Sequence, residues 1–232
     1  MLGVNDNWIV LAVAVVAGLL TYGGLVGGEA LLTGSPEPTA DEAFVEGTTT
    51  HLDRSGRPTA VGQVSNRYGE PITNVTVTVQ FLRDGELVAE RSGVTLRETV
   101  PSGEAAPFVV HMSETADIDR VTTSLSYDRS GEIVSGLEVT DQRVVRESQD
   151  QIDVAATVTN TADRPLRLSD AVATFYDERR ATIGARATRP DRRIAPGESV
   201  TVRISFRTLG DVPSYAREFQ SFRISVVAEE VE

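Results

Sequence analysis

The chain has 232 residues, 40% of them apolar and 24% charged, with 34 Asp plus Glu against 22 Lys plus Arg for a formal charge of −12. It contains no cysteine and only two histidines, His51 and His111. That excludes disulfides, thiolate metal centres and thiol nucleophiles, and leaves too few imidazoles for a histidine cage. So acidic a chain is a poor match for phosphate backbones, and no nucleic-acid role is expected.

From Asn7 to Gly28 there are 22 residues without a charge, flanked by Asp6 and Glu29. A helix needs about 20 such residues to cross a hydrocarbon layer of ~30 Å. Trp8 and Tyr22 stand near the two ends, where amphipathic aromatics favour the headgroup region. A cleaved signal peptide is the competing reading, but it calls for a basic stretch ahead of a shorter apolar core. No Lys or Arg precedes Arg54. Residues 1–29 are therefore predicted to be a retained single-pass anchor, with the acidic C-terminal part outside the cell membrane. Gly23/Gly27 and Gly24/Gly28 form small-xxx-small pairs, a spacing that lets two helices approach as a weak homodimer. Residues 30–50, rich in Pro, Thr, Gly and acids from Gly34 onward, are predicted to be a solvated, extended stalk.

Beyond the stalk the sequence repeats itself. Val64-Ser65-Asn66 and Pro71 return as Val158-Thr159-Asn160 and Pro165, Phe81 as Phe175, and Gly103-Glu104 as Gly197-Glu198. Each landmark is displaced by the same 94 positions, as in 160 − 66 = 94. A gapless series of this kind predicts two copies of one domain, 51–136 and 137–232. Within them, Val75-Thr76-Val77-Thr78-Val79-Gln80-Phe81 alternates apolar and polar, as do Val200 to Phe206 and Phe222 to Val226. That period marks strands buried on one face. Asp84-Gly85 supplies a hairpin turn, and Pro101-Ser102-Gly103 and Pro196-Gly197 supply tight turns. No window shows a helical period. The fold class expected is mainly β: two tandem β-sandwiches of about seven strands each behind one transmembrane helix.

These residues resemble the FxLYD domain, an immunoglobulin-like sandwich of bacterial and archaeal extracytoplasmic proteins. The match runs through Asn66, Pro71, Phe81, Asp84 and Gly103 in the first copy. It runs through Asn160, Pro165, Phe175-Tyr176-Asp177 and Gly197 in the second. The first copy departs by placing Leu82-Arg83 between Phe and Asp and Ser102 between Pro and Gly. The resemblance implies an immunoglobulin-like fold outside the membrane and carries no reaction with it. A second resemblance lies in composition: all 22 basic residues are arginine, a pattern similar to proteins of extreme halophiles, whose acidic surfaces work where screening lengths are short. Such a protein is expected to need molar salt.

The search for chemistry yields little. No Gly-x-Ser-x-Gly elbow and, without lysine, no phosphate-binding loop of the Gly-Lys type occurs. His51 and His111 read as surface imidazoles. Asp117 with Asp119, Asp150 with Asp153, and Asp128 with Glu132 lack the spacing of a dedicated calcium loop, so no metal, cofactor or catalytic residue is assigned. Asn74-Val75-Thr76 is a candidate N-glycosylation site with Asn74 facing outward. The expected function is non-enzymatic contact with an envelope protein, through sheet edges or the junction of the copies around Arg143 to Gln151. The alternatives are an accessory subunit of a transport, secretion or filament complex, and a small-molecule or calcium binder in the cleft between modules.

Overall fold

Where the sequence alternates, so does burial. Along Ile72–Arg83, Val75, Val77, Val79 and Phe81 are buried while Asn74 and Gln80 are exposed, because successive side chains of a strand point to opposite faces of its sheet. The computed structural model describes residues 42–53, 55–129, 132–148, 151–207 and 219–231, with a two-residue strand at 16–17.

The strands in order are β1 (Val16–Ala17), β2 (Ala43–Leu52), β3 (Pro58–Asn66), β4 (Ile72–Arg83) and β5 (Glu86–Val94). Next come β6 (Thr99–Val100), β7 (Ala105–His111), β8 (Arg120–Asp128), β9 (Leu137–Glu147) and β10 (Gln151–Asn160). The last five are β11 (Leu166–Tyr176), β12 (Thr182–Thr188), β13 (Arg192–Ile194), β14 (Ser199–Arg207) and β15 (Ser221–Glu230). The protein is mainly β, with sheets facing one another in sandwich-like pairs. One pair has the orders β2-β3-β7 and β8-β4-β5, with β6 beside β4 and β1 on the outer edge of β8. The other has β9-β10-β14 and β15-β11-β12, with β13 also on β11. All pairings are antiparallel.

The second plan repeats the first strand for strand, from β2 against β9 to β8 against β15. Each has its own core. One gathers Val64, Ile72, Val75, Val77, Val79, Phe81, Phe108 and Leu125. The other gathers Ile152, Val154, Val158, Leu168, Phe175, Ile194 and Ile204. Residues 208–218, between β14 and β15, lie outside the described residues.

Two expectations change. The stretch 43–50, predicted to be stalk, is most of β2: Ala43, Phe44 and Val45 are buried, and the strand pairs with β3 from Ala43↔Asn66 to Leu52↔Pro58. Its own side chains could not order it, but a ladder with β3 satisfies its backbone and covers its few apolar groups. Arg143 to Gln151 is not the junction between copies; it spans the end of β9 and the start of β10, while the copies are joined through 129–136. Of the predicted span 7–28, only the β1 pair Val16 and Ala17 is described, opposite Thr123 and Thr122 of β8. The rest, including Gly23, Gly24, Gly27 and Gly28, lies outside the described residues. Among the described residues no helix is long and apolar enough to cross a membrane.

Candidate functional site

The repeated motif residues build one turn twice. Asn66 donates through Nδ2 to the carbonyls of Glu70 and Val100, both at 2.9 Å, while its Oδ1 accepts from the Tyr68 amide at 2.9 Å. Asn160 donates to the carbonyls of Arg164 (2.8 Å) and Ile194 (2.9 Å) and accepts from the Ala162 amide at 3.0 Å. The backbone follows suit, with the Gly103 amide on the Asn66 carbonyl and the Gly197 amide on the Asn160 carbonyl. Gly103 and Gly197 have φ of 73° and 74°, the left-handed region that glycine enters without strain. Pro71 and Pro165 stand immediately before β4 and β11. Phe81 and Phe175 are fully buried. Asp84, at φ 51°, and Gly85, at φ 82°, make the β4–β5 turn. Asp177 caps a longer loop by accepting from the Arg179 and Ala181 amides. These repeated side chains hold turns and cores.

The polar chemistry gathers where the two units touch. There β12 lies against the outer face of the β2-β3-β7 sheet. Thr49 donates to the Thr182 carbonyl at 2.5 Å, and the Tyr176 hydroxyl donates to Gln63 Oε1 at 3.1 Å. Burial pushes the Tyr176 phenol above its ordinary range. Thr59, Val61 and Gln63, which point away from the first core, are exposed by no more than 9%. The second unit thus covers a face that a free-standing sandwich would show to water.

Two hollows flank this contact. One, of about 940 Å³, is polar, with Gln63, Ser65 and Glu46 on one wall and Tyr176, Ser221 and Gln142 on the other. Arg67, Arg179, Arg180 and Arg223 also line it. Arg67 lies over the Phe44 ring at 4.6 Å, and the Arg223 charge acts on the Tyr176 phenol. The other hollow, of about 740 Å³, is largely apolar, formed by Val61, Leu96 and Val109 against Ile183, Ala185 and Phe206. His51 and His111 line it too. His51 sits opposite Thr59, which is opposite His111 in turn, and the Thr59 hydroxyl is 2.9 Å from His111 Nδ1. His51 is therefore no surface imidazole. It is half-buried, and desolvation, with His111 nearby, holds it down at about 4. Nothing in its neighbourhood in the sequence announces this, because the cover comes from the other copy.

Asn74 is exposed, at φ 52° in an irregularity of β4, with Nδ2 donating to Asp128 at 2.8 Å. Asp119 accepts from the Asp84 amide at 2.6 Å, so this acid serves a turn. No group of three or more His, Asp or Glu is placed to hold a metal among the described residues.

No protein-family model matches the chain, and no curated protein matches it. Among solved structures, it is similar to a red sea bream transglutaminase at 14% identity and a TM-score of 0.24, covering 80% of this chain and 30% of that one. A glycosyl hydrolase family 2 member from Bacteroides cellulosilyticus matches at 12% identity and 0.27, over 75% of this chain and 27% of that one. A Bacteroides uniformis beta-glucuronidase 2 calcium-binding mutant matches at 13% and 0.25, over 66% and 22%. The chain spans less than a third of each of those proteins, and likenesses this low say nothing about its activity.

Proposed function

We propose that the chain is a membrane-tethered, extracytoplasmic protein whose two immunoglobulin-like modules, of FxLYD type, make non-enzymatic protein contacts at the cell envelope. The observation that carries this reading is the free edge of β5. It ends its sheet, runs nine residues, and exposes Leu87, Val88 and Val94 at 57%, 41% and 64%. An uncovered edge of that length offers its amides and carbonyls to an incoming strand. The uncharged stretch 7–28 supports the tether, and the acidic, lysine-free composition supports a high-salt exterior.

Capture of the cross-linked full-length chain from its native membrane tests this. A stoichiometric envelope partner is expected, lost when Val88→Asp puts a charge on this exposed edge. Recovery of the chain from the soluble fraction, or the same partner with the Val88→Asp variant, would overturn it.

The polar hollow at the junction favours a second reading, a small anionic ligand held by Arg67, Arg179, Arg180 and Arg223. Calorimetry with acidic envelope sugars checks it. Heat that disappears in Arg180→Ala supports a ligand, and silent titrations refute one.

A further inference from the structure

The junction joins two different surfaces of one repeated fold. The second unit supplies β12, and the first supplies the outer face of its β2-β3-β7 sheet. Both surfaces exist in each copy, so a chain joined once leaves one of each unused. Strand register identifies them. Tyr176, just past the anchor Phe175, pairs with Thr182, and Leu82, just past Phe81, pairs with Leu87. β5 is thus the counterpart of β12, and β9-β10-β14 is the counterpart of β2-β3-β7. Thr182 is buried against the first unit, whereas Leu87 is 57% exposed. Likewise the outward row of β3 is covered, whereas its counterpart on β10 keeps Asp153 and Thr157 half-exposed around a buried Ala155, and Thr201, Arg203 and Ser205 beside it on β14 are exposed.

Two further observations direct these free surfaces at each other. Of the exposed large hydrophobics among the described residues, Leu87, Val88 and Val94 lie together on β5. On β9, Val145 sits at the irregularity beside Arg146, while Val144, opposite the core residue Val154, is on the inner side of that sheet. Charge is complementary as well. The β5 edge carries exposed Glu86 and Glu90. Across the outer face of β9-β10-β14, register aligns Arg143 and Arg203 on either side of Ala155, with Arg146 beside Asp153 and Glu138 at the far end. Arg143 pairs with Asp141, so Arg203, exposed at the middle of β14, is the cation that an acidic edge meets with attraction rather than repulsion.

We infer that β5 of one chain docks on the outer face of the β9-β10-β14 sheet of a second copy, reproducing between molecules the contact made once within each. This rests on the reading of the units as contact modules and names their partner; it needs neither the tether nor a ligand. The interface is heterologous, so each added copy leaves one free surface at either end, and association extends into linear chains unless the geometry closes a ring.

The absence of cysteine makes the test clean. Full-length chain carrying Ser92→Cys on β5 and Thr201→Cys on β14, joined with a short bis-maleimide, is expected to form a ladder of dimers, trimers and longer species. Each single-cysteine variant should stop at dimers or remain monomeric. Adding Glu90→Arg or Arg203→Glu should reduce the ladder at least fivefold, and combining the two reversals should restore it, which also shows that neither unfolds the protein. A double-cysteine chain that stays monomeric, or a ladder unmoved by either reversal, overturns the inference. If that chain stays monomeric while a different envelope protein is captured in stoichiometric amount, the contact reading stands and the second copy is refuted as its partner.

Discussion

The two units share a strand plan but not a way of filling it. In the first, Phe81 and Phe108 pack among aliphatic side chains, and a Tyr68–Tyr127 hydroxyl pair at 2.8 Å closes one end. In the second, Phe175 stacks on Phe206 at 4.6 Å, with Phe219 and Phe222 at 6.1 and 6.5 Å. The repeat preserves the turn residues, which must satisfy fixed backbone groups, and leaves the cores to differ, since any well-packed apolar set of the right volume serves. Burial outside the cores differs too. β3 is covered on both faces, whereas β10 keeps Asp153 and Thr157 half-exposed, because only the first unit has a neighbour on that side.

The largest effects should come from the cores. Phe81→Ala and Phe175→Ala are each expected to cost ~3 to 5 kcal/mol, with Phe175 at the upper end because it also loses its ring partners. Chemical denaturation of the full chain should show the transition of the altered unit moving well ahead of the other; a shared, unshifted transition would break the comparison.

Acid comes next, and it should act on the first unit. His51 is held at about 4 in the folded state, below its ordinary ~6.5, so the unfolded chain binds more protons between those values. Stability from this group is present above pH ~6.5 and is lost as pH falls toward ~4, by about 3 kcal/mol at most. Asp53, held at about 2 chiefly by hydrogen bonds from the Arg57 side chain and amide, adds a later loss between pH ~4 and ~2. A His51→Gln variant should flatten the upper part of the pH–stability curve and leave the lower part; an unchanged curve would show that the junction does not cover His51.

The paired turns allow a matched test. Asn66→Ala and Asn160→Ala each orphan one buried carbonyl, one half-buried carbonyl and one amide and should cost ~1 to 3 kcal/mol. Equal losses are expected at both sites, and a loss at only one would mean that the repeat is geometric but not energetic. The smallest effect belongs to β12. A Cβ on Gly184 would lie 2.3 Å from the Phe206 ring, so Gly184→Ala should cost ~1 to 3 kcal/mol by overpacking. Its counterpart Ala89, opposite Phe81, already carries that methyl, and calorimetric melting of the Gly184→Ala variant checks the contrast.

Much of the fold can be read locally. β4, β14 and β15 show in the alternation of Val75–Phe81, Val200–Phe206 and Phe222–Val226, and the turns show in Asp84-Gly85 and Pro196-Gly197. What escapes is whatever is held from a distance. β2 has few apolar side chains and exists by pairing with β3, so its composition resembles a linker. The Thr49–Thr182 and Gln63–Tyr176 contacts join residues 133 and 113 positions apart, beyond any local pattern. The burial of His51 depends on the same contact between copies.

Residue-resolved amide hydrogen exchange on the full-length chain tests the duplicated architecture most directly. The account predicts slow exchange at the Asn66 and Asn160 amides and at the Gly103 and Gly197 amides, alike within each pair, with the alternating protection of strands on either side. Protection confined to one member of each pair, or a run of protected amides with helical spacing after residue 60, would contradict it.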